Sequence, residues 1–322
     1  IAAVGSLPNG SGIYRFNRDG SPDNEFGDSG LIFIYSLNVN CLAIQSDGKF
    51  VVAGTIKTEV GGSTIKIARY NSDGRLDSSF NGEWKIIPQV GLSFFAYSIA
   101  IQTDGKSVVA GDRASGLFPP YHDFLVARYN ADGSLDNNFG EDGVVFTDFG
   151  SILDYGKSVA VQADGKIVVA GGGSVTPYIF TGPSAGSHFA MVRYNPDGSL
   201  DSSFDDDGML LTDLGTSPSS ANSIAIQADD KIVLAGTGAG GFSVVRYNTD
   251  GSLDNSFDND GILVANMGIS SSASSIAIQA DGKIIAGGSS TNGTKSFFAG
   301  IRINRDGSLD DSFDGDGRLI TD

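Results

Sequence analysis

Short runs in which apolar and polar residues alternate recur from one end of the chain to the other, broken by Asp-Gly and Gly-rich stretches. Alternation with a period of two marks a strand with one buried face. Ser158-Val159-Ala160-Val161-Gln162 is such a run and predicts a strand. Ala163-Asp164-Gly165 predicts a hairpin turn, in which Gly supplies a positive φ that other residues resist. Lys166 to Gly171 then reads as a second strand and His188 to Asn195 as a third. Asn195-Pro196-Asp197-Gly198 reads as a type I turn closed by a glycine bulge, and Gly208 to Thr212 as a fourth strand.

This unit is repeated. Arg-aromatic-Asn-x-Asp-Gly-x-x-Asp-x-x-Phe runs from Arg15 to Phe26, and again from Arg69, Arg128, Arg193, Arg246 and Arg302, with Ile303 replacing the aromatic in the last copy. The arginines lie 53 to 65 residues apart. A second pattern, Gln-x-Asp-Gly-Lys after an alternating run, starts at Gln45, Gln102, Gln162 and Gln279, and at Gln227 with Asp230 in place of Gly. Four antiparallel strands repeated radially describe a β-propeller blade. The chain therefore reads as all-β, a single propeller domain over 1–322 with units near 1–40, 41–97, 98–157, 158–221, 222–274 and 275–322. A solenoid would need shorter rungs, a sandwich would not repeat in this way, and no linker free of the repeat separates two domains. The expected blades are six and four-stranded, except that the first lacks its innermost strand, since Ile1-Ala2-Ala3-Val4-Gly5 matches a second strand. Either one blade is thin, or upstream residues complete it and a seven-bladed parent is allowed.

The two linked patterns resemble the delta-60 repeat, a bacterial propeller family, with a strand order similar to the NHL and YWTD propellers. That resemblance covers nearly the whole chain. It implies the fold, with the strand before Asp-Gly lining a central channel, and implies almost nothing about activity.

Composition narrows the function classes. Of 38 acidic residues only four are Glu (Glu25, Glu59, Glu83, Glu141), and Gly numbers 45, which favours turns over helices. A net charge of −17 argues against nucleic-acid or anionic-membrane partners. The lone Cys41, set in an apolar run, excludes an internal disulfide and a cysteine zinc site and reads as a small buried hydrophobe. No stretch is long and apolar enough to span a bilayer. Acidity, Asp and Gly content and scarce Cys suit a secreted or surface bacterial protein, and a start at Ile1 suits a segment of a longer polypeptide.

Candidate functional residues fall into three groups. In every copy the arginine and the second Asp are eight apart (Arg15/Asp23, Arg69/Asp77, Arg128/Asp136, Arg193/Asp201, Arg246/Asp254, Arg302/Asp310), which predicts a bidentate, partly buried structural pair. The Phe three residues further on is expected to plug the gap between blades. Asp205/Asp207, Asp258/Asp260 and Asp314/Asp316 cluster hard oxygen ligands on Gly turns, a calcium candidate weighed against ordinary Asx turns. The long, variable connections carry Phe94, Phe95, Phe118, Tyr121, Tyr178 and Phe180, and the two histidines, His122 and His188, stand before third strands of neighbouring blades. Aromatics on long loops mark recognition surfaces.

No nucleophile elbow, zinc helix or phosphate loop is present. The sequence therefore predicts a non-catalytic propeller that binds a protein or glycan through its variable face, with no cofactor beyond calcium. The alternatives are a structural module of a larger surface or fibre protein, and a glycan-active enzyme using the histidines.

Overall fold

A computed structural model describes residues 1–8, 10–35, 37–58, 62–80, 85–86, 93–114, 121–150, 153–173, 188–215 and 219–321, with backbone alone for 85–86. The chain divides into two compact units, Ile1–Thr147 and Asp148–Asp322. Each carries three antiparallel sheets, and no helix occurs among the described residues.

In the first unit, the opening sheet has three strands, β1 (Ala2–Leu7), β2 (Gly10–Arg15) and β3 (Leu31–Tyr35). The next holds β4 (Asn38–Ile44), β5 (Phe50–Lys57), β6 (Ser63–Tyr70) and β7 (Lys85–Ile86). The third holds β8 (Ser93–Ile101), β9 (Ser107–Ala114), β10 (His122–Tyr129) and β11 (Val144–Thr147). The second unit begins with β12 (Tyr155–Val161), β13 (Ile167–Gly173), β14 (His188–Tyr194) and β15 (Met209–Thr212). It continues with β16 (Ser220–Ile226), β17 (Ile232–Gly238), β18 (Gly241–Tyr247) and β19 (Ile262–Ala265). The last sheet is β20 (Ser270–Ile278), β21 (Ile284–Thr291), β22 (Ser296–Ile303) and β23 (Arg318–Thr321). Neighbours in sequence are neighbours in every sheet, so each is a simple meander.

The first strands start earlier than alternation alone suggests. Each contains a β-bulge, between Val39 and Cys41, Ala96 and Ser98, Gly156 and Ser158, Ala221 and Ser223, and Ala273 and Ser275. An extra residue flips the side-chain alternation, so a period-two reading detects only the half beyond the bulge. The bulge also explains the glycine that recurs in the second strand. A Cβ at Gly171 would lie 1.6 Å from the Tyr155 carbonyl oxygen, and one at Gly111 1.7 Å from that of Phe95.

Hydrophobic packing runs between successive sheets within each unit. Ile65, Ile67 and Phe80 of the second sheet pack with Phe94, Ile99 and Leu125 of the third. Phe189 and Met191 of the fourth sheet pack with Ile224 and Leu234 of the fifth, and Phe242 and Val244 there pack with Ile276 and Ile301 of the sixth. These buried Ile, Val and Phe are β-formers that fit a pleated surface, so the core is a series of face-to-face sandwiches.

Candidate functional site

The two ends of each sheet differ. At one end lie the Asp-Gly turns, which repeat almost without change. Asn195 N donates to Ser199 O at 2.8 Å, Gly198 takes φ 91°, and Asp197 Oδ1 accepts the Ser199 amide at 2.9 Å. The chain then folds back along the third strand, with the Asp201 amide donating to Arg193 O and the Arg193 amide to Gly208 O, both at 2.9 Å.

This fold-back sets a clasp. Arg193 Nε donates to Asp201 Oδ2 at 2.7 Å, and the guanidinium sits 4.5 Å from the centre of the Phe204 ring. The same pair forms in the other five copies, at 2.8 Å (Arg15/Asp23 and Arg69/Asp77), 2.7 Å (Arg128/Asp136), 2.6 Å (Arg246/Asp254) and 2.5 Å (Arg302/Asp310). The contact is not the bidentate fork expected, because the other nitrogens are engaged elsewhere. In the fourth sheet NH2 reaches Ser203 Oγ at 3.3 Å, and NH1 reaches the Thr249 carbonyl in the next sheet's turn at 2.5 Å. Arg69 and Arg246 likewise reach Ala131 O and Arg305 O, at 2.8 and 2.6 Å, and Arg15 reaches Ser72 O.

The partner missed in the sequence is the lysine of Gln-x-Asp-Gly-Lys. Lys49, Lys106, Lys166, Lys231 and Lys283 place Nζ between 2.6 and 3.3 Å from the same carboxylate oxygen that the arginine holds. Burial pushes the Asp201 carboxyl up, but Ser203, Lys166 and Arg193 outweigh it and hold it well below the usual carboxylate range. Asp77 and Asp254 are held down in the same way. A cavity of about 290 Å³ beside this clasp is lined by Gln162, Asp164, Lys166 and Arg193, but both cations are already engaged with Asp201.

The acidic turns downstream are Asx turns. Oδ1 of Asp207, Asp260 and Asp316 accepts the backbone amide two residues on, at 2.8, 2.9 and 3.0 Å. Asp205 and Asp258, with Asp314, take positive φ there. Burial, and then the carboxylates around each, push the Asp205 and Asp258 carboxyls up. Among the described residues no group of three or more His, Cys, Asp or Glu is arranged to hold a metal ion.

The variable ends hold the aromatic and histidine candidates. Phe118, Tyr178 and Phe180 lie outside the described residues. Phe94 is not a loop residue but part of β8 and wholly buried, its ring 6.2 Å from that of Phe146, so it belongs to the core. Phe95 is half-buried and Tyr121 exposed. The histidines are the first residues of β10 and β14, so His188 opens the third strand as read from the sequence, and His122 likewise belongs to its strand and not to the connection before it. Their registers differ by one: His122 is two residues before Phe124, which opposes Asp112, and His188 is one before Phe189, which opposes Gly172. Alternation therefore sends the two rings to opposite faces of their respective sheets. His188 Nδ1 is 3.8 Å from Asp213 Oδ1, too long for a hydrogen bond.

His122 stands in a built site. Its Nδ1 is 2.6 Å from Oδ2 of Asp112, a residue with no solvent exposure whose Oδ1 has no hydrogen-bond partner among the described residues. Burial drives the Asp112 carboxyl up, opposed by the Tyr97 hydroxyl and His122. On the other face of the same strands Arg113 Nε donates to Asp123 Oδ2 at 3.0 Å, with the guanidinium 4.3 Å from the Phe146 ring centre. The blade register gives the signal that would have found Asp112: the matching positions are Thr55, Gly172, Thr237 and Ser289, none of them ionisable.

Repeated antiparallel blades of this construction define a β-propeller repeat protein. A family model described as a domain of unknown function (DUF5122) β-propeller matches residues 45–80, 102–139, 162–204, 227–257 and 279–313, more than half of the chain. The chain belongs to this family. No curated protein matches it significantly. Among solved structures, it is similar to a protein of unknown function from Dyadobacter fermentans, with a TM-score of 0.50 and 10% identity over 89% of this chain and 84% of that one. It is also similar to a gluconolactonase from Xanthomonas campestris (TM-score 0.44, 14% identity, 88% and 76% covered). A PL25 polysaccharide lyase, an ulvan lyase, gives 0.49 and 9% identity with 91% and 72% covered. Likeness at these identities shows the fold alone. The expectation of a non-catalytic binding or structural module that is no enzyme is therefore corrected: a propeller hosts many unrelated functions, and the fold gives no ground for excluding catalysis.

Proposed function

We propose that the chain is a propeller enzyme performing acid–base chemistry on a carbohydrate at the variable end of its third blade. His122 is the proton-transfer group and Asp112 its positioning residue. The observation that carries this reading is the burial of Asp112 against His122. A buried carboxylate costs several kcal/mol unless fully paired, and the matching blades fold with Thr55, Gly172, Thr237 or Ser289 in its place. Folding therefore does not require Asp112. A carboxylate on Nδ1 fixes the ring and the tautomer that leaves the lone pair on Nε2, the arrangement a general base needs. Tyr97, 38% exposed, lends its hydroxyl to Asp112, and such a ring presents a flat apolar face suited to a sugar ring. An extracellular or surface setting fits a polysaccharide substrate, and kinship with the delta-60 repeat rests on the two linked sequence patterns.

The test is turnover on a panel of sugar lactones, aryl glycosides and uronate polysaccharides. His122→Ala is expected to lower kcat by about a hundredfold or more, and Asp112→Asn to lower kcat, shift the pH profile and raise the melting temperature by removing a buried charge. Turnover on no member of the panel, or a His122→Ala variant within twofold of the parent, would refute the reading.

A further inference from the structure

The hairpin of the fifth sheet departs from its repeat at one residue. Where the other copies of Gln-x-Asp-Gly-Lys carry Gly48, Gly105, Gly165 and Gly282, this one carries Asp230. The backbone there stays left-handed, with φ 61° against 80° to 86° at the four glycines, a conformation that glycine adopts freely and a side chain resists. Asp230 also lines the cavity of about 290 Å³ that the fourth and fifth sheets share beside the Arg193 clasp. We propose that this cavity binds a primary ammonium group carried on a slender chain, as in a linear polyamine.

The cavity holds more acceptors than its own donors use. Lys166 and Arg193 are both engaged with Asp201, at 3.1 and 2.7 Å. Asp230 and Asp250, which line the cavity, make no ion pair among the described residues, and Asp164 has Lys166 only at 3.6 Å. With Asp201 counted, four carboxylates thus stand against two cations, so an anion is disfavoured and a cation is drawn in. An independent sign is Gln162, which lines the same cavity and is 6% exposed. Its Nε2 donates to the Asp230 carbonyl at 3.4 Å, while its Oε1 has no hydrogen-bond partner among the described residues. A buried acceptor of this kind calls for an N–H or O–H donor. Gln45, Gln102 and Gln227 leave Oε1 unpartnered as well, so the template supplies the acceptor and Asp230 adds the charge. Among the described residues the acidic groups are not gathered closely enough to ligate one metal ion. An ammonium group instead spreads three N–H donors over separate acceptors, and the cavity is about ten times the share of liquid volume that a water molecule takes, room for an alkyl chain.

The probe is putrescine, titrated into the full chain by isothermal calorimetry at low salt, with tetramethylammonium and Ca²⁺ as comparisons. Saturable binding of the diamine is expected, about tenfold or more tighter than that of tetramethylammonium, which carries charge without N–H donors. Asp230→Gly, which restores the template residue, should weaken putrescine about tenfold or more with an unchanged circular dichroism spectrum, and Gln162→Leu should weaken it in the same sense. Asp229→Asn alters the neighbouring residue of that hairpin, which does not line the cavity, and should bind as the parent does. Absence of saturable binding, Ca²⁺ or tetramethylammonium binding as tightly as putrescine, or equal losses for Asp230→Gly and Asp229→Asn would overturn the proposal.

Discussion

Replacing Arg246 with Met removes one clasp while keeping a side chain of similar length over the Phe257 ring. The arginine is 6% exposed, and so is its partner Asp254. Lost with it are the 2.6 Å contact to Asp254, the 2.6 Å bond to the Arg305 carbonyl, the 3.1 Å bond to Ser256 and a cation over Phe257 at 4.7 Å. Breaking one side of a buried pair costs about 3–5 kcal/mol. Lys231, still 2.8 Å from Asp254, keeps the orphaned carboxylate partly compensated and sets the expected loss near about 3 kcal/mol. For a unit of this size about 2–4 °C accompanies each kcal/mol, so differential scanning calorimetry should record a fall of about 6–12 °C. Arg15→Met is the internal control, since that pair is more exposed and has no lysine partner among the described residues, and its fall should be clearly smaller. Equal shifts for the two variants, or no shift for Arg246→Met, would refute the view that burial and the shared lysine give the clasp its strength.

Three further outcomes follow from the same geometry. Gly171→Ala places a methyl 1.6 Å from the Tyr155 carbonyl oxygen and should destabilise by about 2 kcal/mol or more in urea unfolding, whereas Gly5→Ala should be neutral. Asp77, Asp201 and Asp254 have carboxyls held below their usual range, so their contribution is complete above the unfolded-state value and is lost as pH falls towards the folded one. The melting temperature should therefore drop below about pH 4. Asp205 and Asp258, pushed up, act in the opposite sense and should give a shallow gain on mild acidification before that loss. Burial pushes the Cys41 thiol up to about 12, so a disulfide reagent at neutral pH should react with it only after denaturation.

What could be read directly from the sequence was whatever each residue does locally. Asp197-Gly198 announces its turn because an Asx cap and a positive φ require those two types. The pairing of Arg193 with Asp201 was visible as a constant spacing, but the guanidinium's other bonds, to Ser203 and to the next turn at Thr249, depend on packing between sheets that no spacing encodes. The lysine was hidden for the same reason, although its recurrence in the same five copies that gain the contact was a usable sign. Phe94 was misplaced because the bulge at Ala96/Ser98 reverses alternation and disguises the start of β8 as a loop. Asp112 escaped notice because it repeats nowhere. A search for what recurs passes over the single departure, and here that departure is the buried charge beside a histidine.

The reach of one arginine into the turn of the following sheet has an evolutionary corollary. Within each unit the fastening between neighbours is carried by the module itself, on the edge opposite the connections whose lengths differ most. A gene segment duplicated in whole modules would arrive with its own rivet and need no matching change in the residues already there. Such a chain can lengthen or shorten by recombination while its loops diverge freely, as a series of near-copies 53 to 65 residues apart records.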